Sequence, residues 1–115
     1  MIDPATIAWP APWAAITDER VALSFGRAMN GAVGSSVIGE LHREMCPTHP
    51  LVGVQCRPIA YDSKIKKDFL FETDRPDMPL ALVHFTWAIE SDPRWPWITA
   101  FANIEKFLAW VRDRD

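Results

Sequence analysis

Residues 80–97 read LALVHFTWAIESDPRWPW, and the alternation in their first half decides the fold class. Strand side chains alternate between two faces, so Ala81, Val83, Phe85 and Trp87 should share one face and Leu82, His84, Thr86 and Ala88 the other. The second face then carries His84 and Thr86 side by side. Beyond it the chain enters Glu90, Asp92 and Arg94 and a Trp95-Pro96-Trp97 corner. The densest chemistry in the chain is in this strand and the loop after it.

Two shorter runs before it also read as strands. Val52–Tyr61 is expected to be the first, with Pro58 marking an edge or a bulge because proline cannot donate to a ladder. Lys66–Thr73 is expected to be the second, and Asp74–Pro79 (DRPDMP) is a turn by composition. Leu80–Ile89 is the third. Such short connections favour an antiparallel meander, since parallel crossovers need a dozen or more residues.

Helices are expected on either side of these strands. Thr17 or Asp18 can cap one in which Val21, Phe25, Ala28 and Met29 share a face, and Asn30-Gly31 would stop it. Ser35 or Ser36 can cap a second carrying Val37, Ile38, Leu41 and Met45, ended at Cys46-Pro47. Asn103 can cap a third, with Ile104, Phe107, Leu108 and Val111 on one stripe and Trp110 widening it. Residues 1–16 are apolar but punctuated by Pro4, Pro10 and Pro12, which predicts an extended arm pinned by Trp9 and Trp13. The expectation is one α+β domain over residues 1–115: a three-stranded antiparallel meander with two N-terminal helices and one C-terminal helix.

Composition narrows the function classes. At 115 residues the chain is one domain in size and can bury a core without a disulfide or metal. A net charge of −3 argues against nucleic acid, whose binders gather Lys and Arg on one face. The basic cluster Lys64, Lys66, Lys67 is bracketed by Asp62 and Asp68 and reads as a solvated turn. No apolar run approaches the length of a membrane span, and the N-terminus lacks the basic region of a signal peptide. Two cysteines, Cys46 and Cys56, fit a reducing compartment, so a cytoplasmic location is expected. Six tryptophans are more than a core this small needs, and tryptophan is enriched at interfaces.

Three constellations carry chemistry. His84 could work as an acid or base if a carboxylate such as Glu90 or Asp92 fixed its tautomer, the plainer alternative being a histidine packed under a helix. His42, Cys46, His49 and Cys56 are zinc-type ligands, but the spacing H-x3-C-x2-H matches no zinc pattern; buried thiols and a capping histidine are the simpler reading, and no metal or cofactor is assigned. Trp95, Pro96 and Trp97, with Trp87 and Arg94, form a rigid aromatic corner of the kind that anchors interfaces. Of Trp95 and Trp97, one is expected to be buried and the other exposed.

The residues CPTHPLVG at 46–53, DFLFE at 68–72, LALVHFTW at 80–87 and PRWPW at 93–97 resemble a group of small uncharacterised bacterial proteins. In that group a His-Pro-Leu turn leads into the sheet, and a Val-His-x-Thr-Trp strand precedes a Trp-Pro segment. The likeness spans about residues 40–110, with His49, Pro50, Leu51 and Gly53 in the turn and Val83, His84, Thr86, Trp87, Glu90, Trp95 and Pro96 in the strand and loop. It implies a bacterial, cytoplasmic single domain and no activity.

The leading expectation is therefore a non-enzymatic protein-interaction module, of immunity or antitoxin type. Its contact surface would be His84, Thr86, Trp87, Glu90, Arg94, Trp95 and Trp97, and its partner a protein. An acidic domain of this size could mask a basic partner through steering. The alternatives are a small hydrolase with His84 as base and a structural homodimer built on a sheet edge or the tryptophan arm.

Overall fold

A computed structural model describes residues 2–16, 41, 44–64, 67–86, 91–92 and 94–114. A 3-10 turn at Pro4–Thr6 leads to β1 (Trp13–Ala15). Then come β2 (Cys56–Asp62), β3 (Asp68–Thr73), β4 (Leu80–His84), β5 (Trp97–Phe101) and α1 (Ile104–Arg114). The strands form one antiparallel sheet in the order β1-β2-β3-β4-β5.

This corrects the expected architecture. The sheet has five strands rather than three, and the α-helical element among the described residues is the C-terminal one. The helix expected after Thr17 lies outside the described residues. Of the helix expected after Ser35, only Leu41 and Glu44 are described as helical. The two added strands are edges. β1 sits inside the proline-punctuated arm, where the Ala11–Pro12 bond is cis, and pairs Trp13 with Asp62. β5 begins at Trp97, directly after the cis Trp95–Pro96 bond, and pairs it with His84. Proline has no N–H to give to a ladder, and both of these strands begin on the residue after one.

The three expected strands exist with shorter bounds. The first starts at Cys56, because residues 49–53 are still turning, with Gly53 at φ 82°. Pro58 does mark an irregularity, the register shifting between Pro58 and Ala60. The third ends at His84.

Both faces of the sheet are covered, which is why β4 is apolar on both sides. On one face Leu70, Leu80, Leu82 and Phe101 meet Phe107 and Val111 of α1, with Trp13 of β1 packed in. On the other, Phe69, Phe71, Ala81, Val83 and Phe85 meet Leu41, Leu51 and Met78. The expected α1 stripe is therefore the covering face, and Asn103 caps the helix by accepting from the Lys106 amide at 2.9 Å.

The arm is pinned as its tryptophans suggested. Trp9 and Trp13 meet the Phe107 ring edge-on at centroid distances of 6.0 and 5.0 Å. Polar ties add to this: Glu72 accepts from the Ile2 amide at 2.9 Å and from Arg57 at 2.7 Å, and Arg57 also donates to the Ile2 carbonyl. Burial raises the Glu72 pKa, but the Arg57 guanidinium and the Ile2 amide outweigh it and hold the carboxyl below its usual range.

Candidate functional site

The antiparallel register lines up Asp68 of β3, His84 of β4 and Trp97 of β5 across one end of the sheet. Cross-strand neighbours in register share a face, so these three side chains meet. His84 Nδ1 lies 2.5 Å from Asp68 Oδ1. A carboxylate accepts only, so Nδ1 carries the proton in this bond. Asp68 is buried, whereas the His84 side chain is 43% exposed.

Around this pair opens a cleft of about 340 Å³, lined by Asp68, Leu82, His84, Trp95, Trp97, Thr99 and Trp110. Trp95 and Trp97 are tilted against each other at 53° with centroids 6.1 Å apart. Trp110 reaches the cleft from α1 while packing edge-on against Phe101 of the core. Three indoles thus wall a floor whose carboxylate, among the described residues, is Asp68.

His84 and the aromatic corner are brought together as expected, and other members of the predicted set are not. Thr86 turns away: its amide and hydroxyl both donate to Oε1 of buried Glu44, at 2.8 and 3.1 Å. The strand ends at His84, so strict alternation no longer places Thr86 beside it. Asp92 is engaged locally, holding the Arg94 guanidinium at 2.7 Å and the Arg94 amide at 2.9 Å. Trp87 and Glu90 lie outside the described residues. Trp95 and Trp97 are both exposed, at 37% and 52%, while Pro96 between them is the buried member of the corner. The pairing of one buried and one exposed indole is thereby overturned.

Asp68, Thr99 and Trp110 were missed. A hairpin centred on Pro76 pairs residues whose numbers sum to 152, and that arithmetic puts Asp68 opposite His84. The signal for Asp68 was therefore present.

His49 has a different role from the ligand or cap considered for it. It is buried: Nδ1 accepts from the Leu51 amide at 3.1 Å, and Nε2 donates to the Pro96 carbonyl at 2.8 Å. Both nitrogens are used, so the ring ties the 46–51 turn to the aromatic corner and keeps it in place. Burial lowers its pKa, only partly offset by the Pro96 carbonyl. Among the described residues no group of three or more His, Cys, Asp or Glu is placed to hold a metal, and His42 lies outside them.

A larger cleft of about 510 Å³ runs along residues 45–56 and includes both thiols, but among the described residues none of its lining side chains is charged. Burial, with Asp74 adding to it, pushes the Cys56 thiol up to about 11, which suppresses thiolate chemistry there. Among the described residues no helix is long and apolar enough to cross a membrane. No known protein family, no curated protein and no solved structure matches the chain, so the His84 cleft stands on its own geometry.

Proposed function

We propose that the protein is an interaction module whose contact surface is the cleft formed by His84, Asp68, Trp95, Trp97 and Trp110. One observation carries this reading: two large indoles stand exposed beside a buried carboxylate in a concave site. Exposed tryptophan is what interface hot spots are made of. The corner is also held in place by His49 on the Pro96 carbonyl, so little ordering entropy is lost on binding. The partner expected for an acidic domain is a basic protein, in the manner of an immunity protein or antitoxin.

The test is reconstitution. A protein captured from lysate by the wild type is purified and its affinity measured for wild type and Trp97→Ala. A loss of tenfold or more is expected. Equal affinity would remove the cleft as the contact surface.

A second reading is supported by the His84–Asp68 pair, since a carboxylate on Nδ1 is how a catalytic base is oriented. In this version His84 Nε2 is a general base and Asp68, rather than Glu90 or Asp92, orients it. Among the described residues the lining of the cleft supplies Thr99 as its one hydroxyl and no lysine or arginine to stabilise an oxyanion, so binding is preferred. Activity in a broad hydrolase screen that His84→Gln abolished would reverse that preference.

A further inference from the structure

We infer that the cleft recognises an organic cation, an alkylated ammonium or a guanidinium, seated against the indoles with Asp68 as counter-charge. This rests on the reading of the cleft as a binding site and names what it binds.

Three observations lead there. The first is charge. Among the described residues Asp68 is the lining carboxylate and no lysine or arginine lines the cleft, and the chain as a whole is acidic. The nearby cation in sequence, Arg94, is folded back onto Asp92 and so does not fill the site itself.

The second is shape. Trp95 and Trp97 meet at 53° rather than lying flat, forming a notch, and Trp110 adds a further ring. A compact cation in such a notch faces several negatively charged π surfaces at once, and tryptophan is the strongest ring for this contact. A sugar would prefer one flat platform and several polar partners. The cleft offers Asp68, His84 and Thr99, and Asp68 already accepts from His84.

The third is the exclusion of the opposite charge. An anion would be placed beside a carboxylate that is largely removed from water, which costs more there than at the surface.

Two sources present this chemistry: a free quaternary amine, and an arginine side chain on a basic polypeptide. The experiment titrates the purified chain with choline, with its uncharged isostere 3,3-dimethylbutan-1-ol, and with N-acetyl-arginine N-methylamide. Binding is followed by the indole N–H resonances, assigned by single tryptophan substitutions. At least one cation should shift the Trp95 and Trp97 signals and bind fivefold or more tighter than the alcohol. The tighter of the two cations names the source. Asp68→Asn and Trp97→Ala should each weaken it at least fivefold; Trp97 is half exposed, so that variant should remain folded if Asp68→Asn does not.

Equal binding of choline and the alcohol would overturn the cation assignment, as would silence at the indoles up to 50 mM (about the weakest affinity the site could usefully have). If the reconstituted partner is still lost from Trp97→Ala in that case, the module reading survives and only the ligand class fails. If the partner stays bound as well, both fail.

Discussion

His49 offers the sharpest test of how the aromatic corner is held. His49→Ala removes the acceptor for the Leu51 amide and the donor to the Pro96 carbonyl, both buried bonds. Each orphaned backbone group costs about 1–2 kcal/mol, and the missing imidazole leaves a small void worth about 1 kcal/mol more. The expected loss is about 3–5 kcal/mol, a large share of the roughly 5–15 kcal/mol a domain of this kind has. His49→Asn should cost about half as much, because an Asn carbonyl can still accept from the amide two residues on.

The proton gives an independent readout. Burial disfavours the charged imidazolium of His49, an effect only partly offset by the Pro96 carbonyl, so its pKa lies below the unfolded value. The unfolded chain then takes up a proton that the folded chain refuses. This contribution is fully present above about pH 6.5 and is lost as pH falls towards the folded pKa, at no more than about 1.4 kcal/mol per pH unit. Urea unfolding at pH 7.5, 6.5 and 5.5, followed by tryptophan fluorescence and far-ultraviolet circular dichroism, measures both effects. The stability gap between wild type and His49→Asn should narrow on acidification. A gap that stays constant or widens would refute the argument, as would a His49→Asn protein as stable as wild type at pH 7.5.

Phe107→Ala should destabilise by about 3–5 kcal/mol in the same urea assay, because the ring is fully buried among Trp9, Trp13 and Phe101. Trp97→Ala should change stability by less than about 1 kcal/mol while weakening partner binding tenfold or more, which separates surface from core. Arg57→Ala should loosen the arm, seen as faster hydrogen exchange at the Ile2 amide with the rates of β3 and β4 amides unchanged. Cys56, with its thiol pushed up to about 11, should be alkylated by iodoacetamide at pH 8 on the order of ten- to a hundredfold slower than an unfolded control.

The centre of the fold was legible and its edges were not. Alternation in 80–85, the DRPDMP turn and the Phe107–Val111 stripe each carry a strong periodic or compositional signal, and each corresponds to a real element. β1 is three residues long and β5 five, and both sit next to prolines, so neither offers enough alternation to stand out from a loop. What makes them strands is the partner they pair with, which local pattern does not contain. The site divides the same way. His84 and the Trp-Pro-Trp corner stand out by residue type, whereas Asp68 looked like one bracket of a lysine turn. Its role appears only when β3 is laid against β4 in register. Trp110 reads as core because its helix stripe is core; that it also reaches the cleft depends on where α1 crosses the sheet.

The packing of Trp9 and Trp13 against Phe107 also sets a timetable for synthesis. The ladders from β2 to β5 join neighbours in sequence and can zip as the chain emerges. β1 is different: some forty residues separate Ala15 from Cys56, a loop that must close before any of that pairing is repaid. Even then Trp13, and Trp9 before it, lack the Phe107 ring they meet edge-on until that residue has been translated. An apolar stretch made early must therefore wait for one made late before its packing is complete.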